Sequence, residues 1–241
     1  MASHQDHAVS ARIASQAGQL LLDIRERLSA QGADSWTLKD TGDLEAHRFI
    51  MKALREEFPD DGILSEEGRD DFERLKKKRV WIVDPLDGTR EFGEPGRSDW
   101  AVHIALAADG VPTAGAVALP AINMTFGTEP PPQLPPLREG QPRMVVSRSR
   151  APAAAMIVAE ALGAEMLALG SAGAKAMAVV LGHAEIYAHS GGQYEWDNCA
   201  PAAVAVAAGL HASRCDGSPL DLSLIHISEP TRLRRISYAV F

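Results

Sequence analysis

One segment constrains the fold more than any other: Arg79-Val-Trp-Ile-Val-Asp84-Pro-Leu-Asp87-Gly-Thr89. Arg79 to Val83 reads as a short apolar strand that stops at Asp84-Pro85. The strand drives into a turn carrying two carboxylates three residues apart. Carboxylate oxygens are the natural ligands of hard cations such as Mg²⁺, and two from one tight turn can share a metal or serve one each. Pro85 stiffens the turn, and the carbonyl of Leu86 could point the same way. Gly88 removes a side chain, so the amides of Gly88 and Thr89 could approach a phosphate. An ordinary Asp-Pro…Asp-Gly turn would have the same composition, so this segment alone leaves both readings open.

Around that turn the chain alternates helix and strand. Ile13, Ala17, Leu20, Leu21, Ile24 and Leu28 fall at helical spacing within residues 8–28, and Gly32 is a stop signal. Asp43 is placed to cap a second helix carrying Ala46, Phe49, Ile50, Ala53 and Leu54, which ends before Pro59. Strands are predicted over 100–108, 111–119 and 122–127. The prolines 130, 131, 132, 135 and 136 make residues 129–140 a linker. Beyond it, strands over 143–146, 165–169 and 184–189 alternate with helices over 151–162, 172–181 and 194–208. The expectation is one compact α/β sandwich with two sub-regions, an α+β region over 1–128 and an α/β region over 141–221.

Composition narrows the class. Of 241 residues, 46% are hydrophobic and 23% charged, as in an ordinary globular chain. The net charge of −8 disfavours nucleic acid polymers and anionic membranes as partners. No apolar run is long enough to span a membrane, and the N-terminus lacks the basic flank and apolar core of a signal peptide. Two cysteines, Cys199 and Cys215, are too few for a disulfide scaffold, so a reducing cytoplasm is the expected compartment. Residues 56–73 carry nine acids against one base, Arg69. Most of these read as a solvated loop, with a few available for cations.

The last twenty residues read differently. LSLIHISEPTR, Leu222 to Arg232, resembles the translation of a transposon end used in sequencing libraries. ISYAVF, Ile236 to Phe241, resembles translated flow-cell sequence, with Leu233, Arg234 and Arg235 filling an index-sized gap. The segment is basic, with a net charge of +2, in an acidic chain. It is read as adapter read-through standing where a natural C-terminus would be. It is therefore expected to take no part in the fold, and its removal to leave stability unchanged within about 0.5 kcal/mol.

Further acids tilt the turn toward chemistry. Leu64-Ser-Glu66-Glu67-Gly68 puts two adjacent carboxylates after a short apolar stretch. Glu195-Trp196-Asp197 opens an Ala-rich helix, where an Asp commonly serves as a cap or dipole partner. WIVDPLDGT, followed more than a hundred residues later by WDNCAP, resembles the paired signature of the inositol monophosphatase superfamily. The resemblance covers most of residues 1–221. Within it, LSEEG, DPLDGTREF, SDWAVHIAL, GSAGAKAM and GGQYEWDNCAPAA are most similar to the CysQ-type bisphosphate phosphatases of actinobacteria.

This resemblance implies a layered α/β/α/β/α sandwich and a Mg²⁺-dependent, Li⁺-sensitive phosphatase using two or three ions. Glu66, Asp84 and the Leu86 carbonyl are implied to hold one Mg²⁺; Asp84, Asp87 and Asp197 a second. Glu67 is implied to support the cluster or a weaker third ion. Asp43 is implied to pair with Thr89, whose hydroxyl positions or deprotonates the attacking water, while the Gly88 and Thr89 amides bind phosphate. Thr89, Asp43 and Glu66 are thus the implied catalytic set. Lys39-Asp-Thr-Gly-Asp43 is shorter than the usual stretch and has Gly42 where Ala is common, so Asp40 is the alternative to Asp43.

The chemistry is consistent with those roles. A phosphate monoester is dianionic, so metals that neutralise it and acidify water lower a very high barrier. Five clustered carboxylates would repel one another without a cation. Cys199 reads as a buried packing residue rather than a nucleophile. For the substrate, Lys175 could offer charge to a 5'-phosphate or be a surface helix cation. Ser171 and Gly170 could approach a ribose, and Gly191, Gly192 and Tyr194 could line the same pocket. The implied reaction converts adenosine 3',5'-bisphosphate to AMP in sulfate assimilation. The rivals are phosphatases of inositol phosphate or fructose 1,6-bisphosphate and, from another class, a catalytically silent Mg²⁺/nucleotide-binding regulator. The partner is a small phosphate ester, and a homodimer is left open.

Overall fold

A computed structural model describes residues 2–70, 72–214, 216–218 and 236–240. Helices α1 (His4–Ala30) and α2 (Ser35–Glu57) precede strands β1 (Gly62–Ser65) and β2 (Arg79–Asp87). A short helix α3 (Thr89–Phe92) leads to β3 (Ala101–Ala108), β4 (Val111–Leu119) and β5 (Met124–Gly127). The second half runs β6 (Arg143–Ser147), α4 (Ala153–Leu162), β7 (Glu165–Leu169), α5 (Ala172–Val180) and β8 (Ile186–Gln193). It closes with α6 (Glu195–Ala207), β9 (Ala212–Arg214) and β10 (Ile236–Val240).

The strands form two five-stranded sheets, ordered β1-β2-β3-β4-β5 and β7-β6-β8-β10-β9. Side chains alternate across a strand, so β2 serves two cores at once. Trp81 and Val83 pack with Trp100, Ile104 and the apolar stripes of α1 and α2. Val80 and Ile82 pack on the other face with Met177, Cys199 and Val204 of α5 and α6. α5 and α6 also rest on the second sheet, whose outer face is covered by α4 through Met144, Val146, Ala155 and Ala159. The order of layers is therefore α/β/α/β/α, as the resemblance implies. Residues 131–139 hold no helix or strand, in keeping with the Pro-rich linker.

Two expectations are corrected. α2 starts eight residues before Asp43: Asp34 is its N-cap and accepts from the Thr37 amide at 2.8 Å. Asp43 lies inside the helix, which tolerates Gly42 because a side chain there would strike Phe92 and Leu86. The final residues are not outside the fold. β10 pairs antiparallel with both β8 and β9, and Val240 is fully buried in the core. An apolar strand between two open edges satisfies their backbone groups whatever its origin. Residues 222–235, with Leu224, Ile225 and Ile227, lie outside the described residues, as do Asp71 and Cys215.

Candidate functional site

The strand–turn segment delivers its carboxylates through a break in register. Asp84 pairs with His103 and Asp87 with Ala101, with an irregularity between them at Pro85-Leu86. A bulge of this kind re-aims side chains at the end of a strand. Gly88 follows with φ +85°, and a Cβ there would lie 3.0 Å from Ser171 Cβ and 3.2 Å from the Asp99 carbonyl. Asp197 arrives from the first turn of α6, on the other side of the layer.

Asp84, Asp87 and Asp197 each place a carboxylate oxygen within 4.8 Å of the others. Each is also anchored by a backbone amide. The Leu86 amide donates to Asp84 Oδ1 at 3.1 Å and the Tyr194 amide to Asp197 Oδ2 at 2.7 Å. Ser171 Oγ at 2.5 Å and the Gly173 amide at 2.7 Å both donate to Asp87 Oδ2. Three acids so held and so close together are a donor set suited to a hard cation. Without one, each pair of charges at that separation repels by about 3.5 kcal/mol at an effective dielectric constant of about 20. The acids register that strain. Burial and the charges of Glu66, Asp87 and Asp197 push Asp84 well above the usual carboxylate range. Burial and then Asp87 push Asp197 up to about 7. Burial acts on Asp87 in the same direction, but His103, Lys175 and Ser171 outweigh it and hold that carboxyl low.

Glu66 and Glu67 sit in the turn after β1, and the Glu66 carboxyl lies against that of Asp84 and is raised by burial and by the charges of Asp87 and Glu67. The Glu66 amide donates to the Val83 carbonyl at 3.2 Å, which fixes this turn beside the end of β2. Asp43 reaches the site from α2. The Thr89 hydroxyl stands 3.5 Å from Asp43 Oδ1 and 3.1 Å from the Leu86 carbonyl. Burial, with Glu67 and Glu66, pushes Asp43 up to about 8. Asp40 is exposed and makes no hydrogen bond to Thr89, so the geometry selects Asp43.

Two expected substrate contacts are placed differently. Lys175 is 3% exposed, so it is no surface cation. Its Nζ donates to the carbonyls of Gly170 and Ser171, and lies 5.4 Å from the Tyr187 ring centre. Ser171 is buried, its hydroxyl spent on Asp87 and on capping α5 at the Ala174 amide. Both are buried and bonded within the protein beside Asp87. Cys199 is buried in the core, and burial pushes its thiol up, against a nucleophilic role.

Sequence reasoning missed two features. His103 is buried between Asp87 and the start of α6; its signal was a lone polar residue inside the apolar run of β3. The other is the rest of the pocket to which the sequence reading assigned Gly170 and Gly191: a cavity of about 440 Å³ lined also by Arg90, Glu91, Ser147, Ser149, Arg150 and His189. Among the described residues, Arg90 and Arg150 have no ion-pair partner, while Arg148 between them is bound to Glu91 and Glu94. These residues are scattered along the chain and form no motif.

Comparison with known proteins identifies relatives of this chain. The sequence pattern of the inositol monophosphatase family matches residues 4–130 and 140–236. The chain is 49% identical over 217 residues to the 3'-phosphoadenosine 5'-phosphate phosphatase of Mycobacterium tuberculosis, covering 85% of this chain and 79% of that protein. Among solved structures, inositol monophosphatase II from Staphylococcus aureus superposes with a TM-score of 0.80 at 22% identity, covering 99% of this chain and 89% of that one. CysQ from Bacteroides thetaiotaomicron superposes with a TM-score of 0.77 at 24% identity, covering 98% and 96%. These two likenesses bear on the fold.

Proposed function

Because the chain belongs to the inositol monophosphatase family, whose members are metal-dependent phosphatases, we propose that it removes the 3'-phosphate of adenosine 3',5'-bisphosphate to give AMP. The observation that carries this reading is the convergence of Asp84, Asp87 and Asp197, each anchored by a backbone amide. Mg²⁺ is the cation proposed. Glu66, Asp84 and the Leu86 carbonyl would hold one ion; Asp84, Asp87 and Asp197 would hold a second; Glu67 would support the cluster or a third. Cations held there neutralise the dianionic ester and acidify water.

The chain's own groups do the rest. Thr89, held between Asp43 and Leu86, orients the attacking water through its hydroxyl. Asp43, shielded enough to favour a proton near neutrality, is the group that can take or return one at Thr89. The Gly88 and Thr89 amides bind phosphate oxygens. The neighbouring cavity suits the rest of a bisphosphorylated nucleotide, with Arg90 and Arg150 offering unpaired charge to its 5'-phosphate. The name of the mycobacterial relative supports this substrate. The enzyme so read works in the cytoplasm, in sulfate assimilation, and is compatible with a homodimer.

A substrate panel with free-phosphate detection tests the proposal, run with Mg²⁺, with Mg²⁺ plus Li⁺, and in excess chelator. Adenosine 3',5'-bisphosphate should be turned over best, only with Mg²⁺, and less with Li⁺. Arg150→Ala should raise KM for the bisphosphate more than for adenosine 3'-monophosphate. Faster hydrolysis of inositol phosphate or fructose 1,6-bisphosphate would overturn the substrate, and full turnover in chelator would overturn the metal centre. No turnover of any ester would leave the binding regulator.

A further inference from the structure

Behind the three aspartates stands a buried imidazole to which the proposed reaction assigns no task. His103 projects from β3, opposite Asp84 in register, with no solvent exposure. Its Nδ1 donates to the Trp196 carbonyl at 3.0 Å, since a carbonyl can only accept. Its Nε2 lies 3.2 Å from Asp87 Oδ2, and Nδ1 lies 4.0 Å from Asp84 Oδ2. Trp196 immediately precedes Asp197 in α6. One rigid ring thus spans the two arms that carry the ligands, the end of β2 and the start of α6. Those arms are more than a hundred residues apart in the chain.

Room for the ring is built into the neighbouring helix. The Gly173 amide donates to Asp87 Oδ2, and a Cβ on Gly173 would stand 2.1 Å from His103 Nε2. Any larger residue at 173 would displace the ring, so the glycine and the histidine are a matched pair. Together the Gly173 amide and the ring hold Asp87 by its Oδ2. Ligands brought from two separate segments must be held in place before a cation arrives, or ordering them weakens binding.

We propose that His103, seated against Gly173, is a positioning residue of the metal centre: it fixes the Asp87 arm against the Asp197 arm so that their carboxylates converge. This rests on the metal-centre reading above. Loss of an outer partner of this kind weakens metal affinity by about 10–100-fold. A ring acting only as a counter-charge would behave oppositely, because its removal would tighten cation binding.

The test measures Mn²⁺ binding to the metal-stripped full chain by electron paramagnetic resonance, with circular dichroism and melting followed on the same samples. His103→Phe should weaken Mn²⁺ binding by about 10–100-fold. His103→Gln, which keeps one donor for the Trp196 carbonyl, should fall between it and the parent. Gly173→Ala, which displaces the ring without removing it, should also weaken binding. Folded His103→Phe with affinity within threefold of the parent, or tighter, would overturn the proposal. Should that variant not fold, His103→Gln and Gly173→Ala are held to the same criterion. Asp84→Asn separates the two claims. If the parent shows no saturable Mn²⁺ binding, or Asp84→Asn binds like the parent, the metal reading falls and this inference with it. If Asp84→Asn loses binding while the His103 and Gly173 variants keep it, only the positioning role falls.

Discussion

Gly88→Ala isolates how much the carboxylate-bearing turn depends on one missing methyl group. Gly88 has φ +85°, a region that costs an L-residue about 1–2 kcal/mol. The added Cβ would also meet Ser171 Cβ at 3.0 Å, the Asp99 carbonyl at 3.2 Å and Trp100 Cα at 3.3 Å. Two of those neighbours are backbone atoms that cannot swing away, so overpacking adds about 1–3 kcal/mol. Reduced freedom of the unfolded chain returns about 0.4–1 kcal/mol. The net loss is about 3 kcal/mol, or about 6–12 °C in melting temperature for a chain of this size. Gly96 supplies the internal control: its φ is +76°, and nothing lies within 4 Å of the Cβ position. Gly96→Ala therefore pays the conformational cost alone and should lose about 1 kcal/mol after the same correction. The assay is urea unfolding followed by tryptophan fluorescence and circular dichroism. Equal losses in the two variants would show that Gly88 is not crowded. A loss below 0.5 kcal/mol at Gly88 would show that the turn is not left-handed there.

Three other perturbations address the acids and the chain end. Asp84→Asn should cut turnover by more than about 100-fold, beyond the scale for outer partners of a metal, while the melting temperature in chelator stays the same or rises because a buried like charge is gone. A fall in both would mean that Asp84 is chiefly structural. Asp43 is raised to about 8 and Asp197 to about 7 in the fold, against an ordinary value near 4, so between these limits the folded chain holds protons that the unfolded chain has lost. Their contribution to stability is thus present at low pH and lost as pH rises through that window. Chelator-treated protein should melt lower at pH 8.5 than at pH 6, a difference that Asp43→Asn reduces; a higher melting temperature at pH 8.5 would contradict the reading. Ending the chain at Asp221 removes the strand between β8 and β9 and the buried Val240 side chain, worth about 1.5–3 kcal/mol by itself. Paired denaturant melts should show at least that loss, and an unchanged midpoint would restore the expectation that the tail is inert.

What the sequence made legible follows from how local each feature is. The β2 turn could be read because strand, proline, carboxylates and glycine lie within eleven residues and each constrains its neighbour. The start of α2 was misplaced because Asp34 and Asp43 are both competent caps; packing decided between them, since Gly42 lets the helix run on against Phe92 and Leu86. Lys175 could not be placed, because a lysine in a short helix carries no local mark of burial. Its position comes from α5 lying between two sheets. The apolar run of β3 marks His103 as unusual, but the arms it touches are invisible for the same reason, since that contact joins β3 to α6. The tail carries this furthest. Resemblance to translated adapter speaks to the origin of Ile236–Val240, but a sheet selects on other grounds. Between β8 and β9 it requires a backbone able to pair on both sides and an apolar side chain at Val240's place in the core. Many sequences meet so loose a requirement, so a strand of foreign origin can still close the sheet, as β10 does by pairing on both sides and burying Val240.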